Sequence, residues 1–393
     1  MRTLSFRLPI DIHSTGLAVS KIAIVGSGFG ALTTVRELRR RKVAAEITVI
    51  SPRDELHYLP GSIWIPAGLR TPGQLKIPLA NFFARSGVEF VKAAATGLAD
   101  GGRTVLSEAG SHVNNHLVIA AGVRFIRKLP GIEHALVPCE GIAVAEEISR
   151  RLAALDSGVV AVGFATNPNE QGAMRGGPMF EFLFIIDTLL RRQGRRDQIE
   201  LVFFSPAPRP GARLGERAVD GLLAEMKRRG IRTHLGQKLV RFDADKVVTE
   251  GGAIAADLIL FMPGVTGPAW LADAGLPLSP GGMIRADAQC RAEGMTNVWV
   301  VGDIGSYPGP EWLPKQAHQA DLQAKAAAAN IASVLSGAVA RENFKSELIC
   351  IVDTLDSGMI VYRTPDRNFV GPRSRAFHWM KRAFETHYLR PYR

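Results

Sequence analysis

Runs of consecutive apolar residues recur along this chain, and amphipathic segments separate them. This pattern is typical of parallel strands that are buried on both faces and joined by helices. The first run ends at Val25, and a helix is predicted over 31–41. Further strands are predicted over 46–51, 117–122 and 199–204, and another lies within 158–166. The alternation of strands with helices predicts an α/β fold built on parallel sheets.

A glycine-rich turn, Gly26-Ser-Gly-Phe-Gly30, joins the first predicted strand to the first predicted helix. Gly26 permits the tight turn, and Gly28 lets the backbone come close to a pyrophosphate. Gly30 and Ala31 provide small residues where the helix packs on the strand. The start of that helix supplies free N–H groups and the positive end of its dipole, so the motif predicts a dinucleotide site.

The second predicted strand ends at Ser51, where nucleotide-binding folds of this kind usually carry an acidic residue for the ribose. Ser51, Arg53 and Asp54 are the candidates to replace that acid. The missing acid weakens the predicted ribose contact and leaves the phosphate site unaffected.

A second nucleotide-like unit begins with the apolar segment 158–166. No glycine turn follows Gly163, because Phe164, Ala165 and Thr166 come next. Without a glycine that allows close approach, a second dinucleotide is poorly accommodated. We therefore predict that this unit keeps the fold without binding NAD(P).

A late apolar strand ends at Gly302-Asp303 and precedes a long alanine-rich helix predicted over 316–335. Ala121 and Gly122 end an earlier strand in the same way. Lys315 lies just before the long helix. The start of that helix would present the positive end of its dipole to a ligand, so this strand end is a second candidate cofactor-binding motif beside the glycine turn.

The 393 residues carry a formal charge of +11 and a pI of about 9.9, with the final thirty or so residues especially basic. A basic surface suits nucleic acid, anionic lipid or small anions, but no nucleic-acid-binding module is visible. Three cysteines are too few for a disulfide scaffold and predict a reducing compartment. No apolar run is long enough to span a bilayer. Residues 1–20 do not resemble a signal peptide and are predicted to be a loose leader.

Four segments resemble sulfide:quinone oxidoreductase and flavocytochrome c sulfide dehydrogenase, which are flavoproteins with two dinucleotide-binding domains. These segments are Gly177-Pro-Met-Phe-Glu-Phe, Pro314-Lys315-Gln-Ala, Ile349-Cys350-Ile-Val-Asp and His378-Trp-Met-Lys-Arg-Ala-Phe-Glu. The resemblance implies a discontinuous FAD domain (21–125 and 280–335), a second domain (126–279) and a C-terminal domain (336–393). It also implies that Asp303 binds the ribityl chain of FAD and that Lys315 lies beside the flavin pyrimidine.

The resemblance implies a cysteine pair beside FAD, and Cys350 matches one partner. Arg175 occupies the position of the second cysteine, and Cys139 resembles an additional upstream cysteine. Glu181 matches an acid near the sulfide site, where it would carry protons. Arg213 replaces a histidine that the family often carries. A cation near Cys350, such as Arg175, would favour its thiolate, whereas structural roles for both cysteines remain open.

The C-terminal segment predicts an amphipathic helix. Its apolar face comprises Ala376, Phe377, Trp379, Met380, Ala383, Phe384 and Tyr388, and its polar face His378, Lys381, Arg382 and Glu385. Such a helix suits an interfacial membrane anchor that binds an anionic lipid surface, although packing on its own domain or on a partner in a homo-oligomer stays open.

The resemblance as a whole implies an FAD enzyme that passes two electrons from sulfide, or another reduced sulfur compound, to a membrane quinone. The predicted location is the cytoplasmic face of a membrane. The alternatives are an enzyme like type II NADH:quinone oxidoreductase and a flavoprotein subunit that donates to a haem partner. No metal site is predicted.

Overall fold

A computed structural model describes residues 19–393. The predicted leader, 1–20, therefore lies almost entirely outside the described residues. Two parallel sheets flanked by helices confirm the predicted α/β class with two Rossmann-like units. The helices of the described part are α1 Phe29–Arg40, α2 Ala80–Arg85, α3 Ile142–Ala154, α4 Gly177–Arg192, α5 Glu216–Arg228, α6 Ala317–Leu335 and α7 Arg375–Leu389.

The first sheet contains five parallel strands drawn from two distant parts of the chain. Nearly all of its central side chains are buried, as its unbroken apolar runs predict. In spatial order the strands are Val298–Val300, His116–Ile119, Ser20–Val25, Ala45–Ser51 and Val88–Lys92.

The second sheet has four parallel strands, in the order Arg232–Leu235, Ile199–Ser205, Gly158–Phe164 and Leu258–Met262. Gly163 packs directly on the ring of Phe204, with a Cβ there falling 2.6 Å from Phe204 Cε2. This glycine is therefore required by packing between strands. The chain then crosses residues 165–176 before α4 begins, so strand and helix are not joined by a tight turn.

The third sheet is antiparallel and consists of Leu348–Asp353, Gly358–Arg363 and Asn368–Val370. It contacts both α4 and α7. Smaller sheets complete the described fold: Ala95–Ala99 with Thr104–Ser107 and Gly110–Val113, Leu239–Asp243 with Lys246–Thr249 and Gly252–Ala255, Glu55–His57 with Lys76–Pro78, Arg124–Phe125 with Val265–Thr266, and Ile284–Arg285 with Gly305–Ser306.

Helices α1 and α6 pack closely over the first sheet. A Cβ on Gly30 would lie 2.6 Å from Val301 Cγ1, which explains the small residue at that position. Ala31 is fully buried beside it. Thr33 Oγ1 donates a hydrogen bond to Asp321 Oδ1 at 2.6 Å and joins the two helices. The predicted domain boundaries stay predictions.

Candidate functional site

One cavity of about 2180 Å³ runs through the middle of the molecule. Its walls come from the carboxyl ends of the first sheet, the start of α4, the loop before α6, the third sheet and α7. The predicted site residues line it, except Asp54 and Ala31, the latter buried behind the glycine turn. Residues from distant parts of the chain thus meet around one volume.

The glycine turn forms one end of the cavity. Gly26 has a φ of +112°, and a Cβ there would collide with the carbonyl oxygen of Ala120. Gly28 has an ordinary φ of −87°, and no heavy atom would come within 4 Å of its Cβ. Gly28 is also the N-cap of α1, and having no side chain it leaves the first N–H groups of the helix free for an anion.

The end of the second strand carries Ser51 and Arg53 to the same part of the cavity. Ser51 Oγ lies 2.9 Å from Ser27 Oγ, and Ser27 Oγ donates to the Arg53 carbonyl at 2.9 Å. Asp54 instead accepts a hydrogen bond from Lys92 Nζ at 3.1 Å on the exposed surface. Of the three candidates for the ribose contact, only Ser51 and Arg53 line the cavity.

Arg175 binds the carboxylate of Asp303, with Nε donating at 2.8 Å. Both residues line the cavity beside Gly302, whose φ is +84°. The sequence raised Arg175 as a cation that could favour a Cys350 thiolate, but its guanidinium is paired with Asp303, and the charges that shift the pKa of Cys350 are those of Glu181 and Lys381. The guanidinium lies against the carboxylate that was predicted to bind the ribityl chain, and Ala121 and Gly122 line the wall nearby.

Lys315 is held by two backbone carbonyls in front of α6. Its Nζ donates to Asp303 O at 2.7 Å and to Gly305 O at 3.0 Å. Burial lowers the pKa of Lys315 to about 8, although Asp303 partly opposes the shift. The chain thus fixes a cation that can lose its proton in mildly alkaline solution.

Cys350 and Cys139 line the same cavity from two different elements. Cys350 lies on a strand of the third sheet, and burial raises the pKa of its thiol to about 12. Cys139 lies in the short turn Pro138–Glu140, where burial raises its pKa to about 11 and Arg175 opposes the rise. Both thiols are therefore protonated at neutral pH, which corrects the expectation of a Cys350 thiolate. Cys290 is buried outside the cavity wall.

Glu181 and Lys381 form a buried ion pair next to Cys350. Glu181 Oε1 also accepts a hydrogen bond from the Asp353 backbone N–H at 2.9 Å. Lys381 Nζ donates to the Ile351 carbonyl at 3.1 Å. Burial raises the pKa of Glu181 even though Lys381 opposes the shift. Sequence reasoning missed Lys381 as a site residue, because it placed that lysine on the polar face of the helix without identifying a partner for it.

Helix α7 packs with its polar face towards the protein. His378 Nδ1 lies 2.8 Å from Asp353 Oδ2, and Glu385 Oε1 accepts from Arg70 Nε at 2.6 Å. The apolar side chains on the opposite face are exposed: Trp379 by 59%, Met380 by 49% and Phe384 by 52%. The spacing of His378, Lys381 and Glu385 on one face was the available signal for an inward polar stripe.

Arg213 also lines the cavity, and burial lowers its pKa to about 10. Together with Arg175 and Lys315 it makes this wall strongly cationic. The neighbouring carboxylates of Asp303 and Glu170 partly balance that charge.

A family model described as pyridine nucleotide-disulphide oxidoreductase matches residues 20–324. The chain therefore belongs to this family. It is an FAD-dependent oxidoreductase. The residues present fit the cofactor, because Gly28 leaves unfilled space at the start of α1 and the cavity continues from there to Lys315.

Among curated proteins, the chain is similar to a sulfide-quinone reductase of Aquifex aeolicus, with 24% identity covering 94% of this chain and 90% of that protein. It is also 23% identical to a type II NADH:quinone oxidoreductase of Staphylococcus saprophyticus, which covers 93% and 94%.

Solved structures show the same fold. The sulfide:quinone oxidoreductase of Aquifex aeolicus superimposes with a TM-score of 0.86 at 23% identity, covering 95% of this chain and 92% of that one. NDH2 of Plasmodium falciparum superimposes with a TM-score of 0.73 at 10% identity, covering 94% of each chain.

Proposed function

We propose that the protein passes two electrons from sulfide, or another reduced sulfur compound, through FAD to a membrane quinone. One observation carries this proposal. The cavity that begins at the glycine turn passes Cys350 and Glu181 and reaches Met380 and Phe384 on the exposed apolar face of α7. A sulfur donor, the cofactor and a lipid-soluble acceptor would therefore share one continuous cavity.

The cofactor-binding residues in this proposal are Gly26, Gly28, Gly30, Ala31, Ser51, Arg53, Ala121, Gly122, Gly302, Asp303 and Lys315. FAD, when bound, accepts an electron pair from the donor and delivers it to the quinone. The N–H groups at the start of α1 would hold its phosphates. Lys315 would favour negative charge next to it, since it is a buried cation fixed by two carbonyls.

Cys350 is the proposed contact for the sulfur donor, and Cys139 is the second thiol within the cavity. Both thiols must lose a proton before they can act as nucleophiles. Glu181 raises the pKa of each of them, so its carboxylate is within electrostatic reach of both. Its own raised pKa suits a group that accepts and returns that proton.

Helix α7 is proposed to bind the membrane surface with Trp379, Met380 and Phe384. A quinone could then pass from the acyl layer into the cavity beside Phe384. None of the helices in residues 19–393 is long and apolar enough to cross a bilayer. The cytoplasmic face, the anionic lipid contact and a homo-oligomer belong to this proposal as well.

Anaerobic titration of the purified yellow protein tests the donor and the acceptor separately. We expect sulfide to bleach the flavin absorbance and a short-chain quinone to restore it. A Cys350→Ser variant should keep its bound FAD and lose at least about 99% of the sulfide-dependent rate, a barrier increase of ~3 kcal/mol. Cys290→Ser is the matched control, since Cys290 does not line the cavity.

The NADH alternative predicts the opposite result in the same cuvette. Rapid bleaching by NADH, with no bleaching by sulfide at any concentration, would replace the sulfur donor with a nicotinamide. The observation that disfavours NADH is the absence of a glycine turn after Gly163.

A further inference from the structure

A second cavity, of about 610 Å³, lies beside the first half of α7. Its wall includes four arginines that come from three segments of the chain. Arg192 ends α4, Arg373 precedes α7, and Arg375 and Arg382 belong to α7. We call this cavity the arginine recess. It shares no arginine with the central cavity.

The recess has an excess of positive charge. Asp356 is the one acidic residue on its wall, and it is paired with Arg373 at 3.1 Å. Arg192, Arg375 and Arg382 have no carboxylate within 4.0 Å anywhere in residues 19–393. Three guanidinium groups that no carboxylate neutralises are therefore gathered around one concave volume.

The recess adjoins the exposed apolar face of α7. Trp379 lines the recess and is 59% exposed, and the guanidinium of Arg382 lies over its ring at 4.9 Å. Met380 and Phe384 continue the apolar surface along the same helix. A cationic recess next to exposed Trp and Phe side chains matches the boundary between lipid headgroups and acyl chains.

We propose that the arginine recess binds the headgroup phosphate of an anionic phospholipid. Guanidinium forks pair well with phosphate oxygens, and three of them here lack an internal partner. The start of α7, capped by Ser374, adds the positive end of a helix dipole to the same wall. This inference rests on the proposed membrane contact of α7 and adds a specific ligand class to it.

A lipid is favoured over free phosphate as the source of that anion, because the recess and the apolar face are continuous. The acyl chains of the bound lipid would lie along Trp379, Met380 and Phe384. A soluble phosphate would leave those side chains in water and would gain nothing from them.

The test compares two triple variants of the FAD-loaded protein that lower the net charge equally. The recess variant carries Arg192→Gln, Arg375→Gln and Arg382→Gln. The control carries Arg103→Gln, Arg217→Gln and Arg341→Gln, which are exposed and lie outside both cavities. Binding is measured by co-sedimentation with phosphatidylcholine vesicles, with and without phosphatidylglycerol.

We expect the wild-type protein to prefer the phosphatidylglycerol vesicles. The recess variant should lose about tenfold or more of its affinity for them, since each basic residue at an anionic surface is worth ~1 kcal/mol. The control should lose less than about threefold, because its three arginines do not line the recess. Equal losses in the two variants would overturn the proposal in favour of diffuse surface charge.

Two soluble probes distinguish a lipid headgroup from free phosphate as the ligand. They also distinguish failure of the recess proposal from failure of the proposed membrane contact of α7. Short-chain phosphatidylglycerol below its micelle concentration should raise the melting temperature of the wild-type protein but not of the recess variant. Inorganic phosphate giving the same rise would overturn the lipid assignment. If the short-chain lipid binds through the recess while neither kind of vesicle binds, the recess proposal holds and the membrane role of α7 is refuted.

Discussion

Gly28 has backbone angles that any residue can adopt, and nothing in the protein fills the space beside it. A ligand that approaches the backbone would account for a glycine at this position in the cavity wall. We predict that Gly28→Ala leaves the unfolding temperature of the FAD-free protein unchanged. Its affinity for FAD should fall at least about tenfold, or ~1.4 kcal/mol. Flavin fluorescence titration measures the loss.

Gly73→Ala is the matched control, because its Cβ would also meet open space but outside the cavity. Equal FAD affinities in the two variants would mean that no phosphate approaches the backbone at Gly28.

Lys315 makes the stability of the folded protein depend on pH, and the sign of this dependence follows from its lowered pKa of about 8. Above that pH the folded chain has lost a proton that the unfolded chain keeps up to its ordinary value of about 10.4. Because the unfolded state then binds more protons, this residue makes stability rise with pH across the window. Below about pH 8 both states hold the proton and the contribution is constant.

Denaturant unfolding of the FAD-free protein measures this effect as a difference between wild type and Lys315→Met. The free energy of unfolding of the wild type minus that of the variant should increase by ~1–3 kcal/mol between about pH 8 and pH 10. Lys345→Met, at an exposed lysine, should show no such change relative to the wild type. A pH-independent difference for Lys315→Met would show that its ammonium group is well hydrated.

Residues that act through the local backbone could be predicted from the sequence. The glycine turn is one, since strand, turn and helix are contiguous. Contacts between distant residues could not be predicted. Glu181 and Lys381 are 200 positions apart, and Arg175 and Asp303 are 128 apart. Which cation meets which carboxylate is decided by how the sheets and α7 pack together, and a single sequence does not encode that in any local pattern.

At the scale of elements, the polar face of α7 packs on the protein, and its exposed apolar face is proposed to bind the membrane. Phe384→Ser should change the free energy of unfolding by less than about 0.5 kcal/mol, because the side chain is 52% exposed. Its binding to vesicles should fall about tenfold, since an inserted Phe is worth ~1.5–3 kcal/mol. Unfolding and co-sedimentation of one preparation give both values.

Lys381→Met should lower the stability and leave the binding to vesicles unchanged. It leaves Glu181 buried without its cation, which costs ~3 kcal/mol of stability, while the exposed apolar face is unchanged. A variant that unfolds like the wild type would show that the Glu181–Lys381 pair is not important for stability.

The amphipathic pattern of α7 was predictable, but its orientation was not. The sequence assigns Trp379 and Phe384 to one face and His378 and Glu385 to the other. Only the partners, Asp353 for His378 and Arg70 for Glu385, reveal that the polar face is the buried one. A helix of ordinary globular packing would have buried its aromatic face instead.

At the scale of the whole molecule, the residues that follow α7 pack against α1 and α2 and so hold α7 in place. Tyr392 is fully buried, with its ring 5.3 Å from that of Phe82 and its hydroxyl accepting from Arg36 at 3.2 Å. We predict that Tyr392→Ala costs ~3 kcal/mol in the free energy of unfolding. Phe369→Ala, at a side chain that is 54% exposed, should cost less than about 0.5 kcal/mol.

These contacts of Tyr392 should also affect FAD binding, because α7 forms part of the wall of the central cavity. Tyr392→Ala is therefore expected to bind FAD more weakly than Phe369→Ala does. Unchanged FAD affinity would mean that α7 keeps its position without its C-terminal anchor.

Because Trp379 is exposed, its fluorescence can report on the apolar face of α7 that is proposed to bind the membrane. Of the five tryptophans, Trp64, Trp299 and Trp312 are buried and Trp270 is half-buried, so Trp379 is the one whose surroundings a vesicle would change most. A shift of the emission maximum to shorter wavelength on adding lipid, lost in Trp379→Phe, would follow insertion in real time without any label.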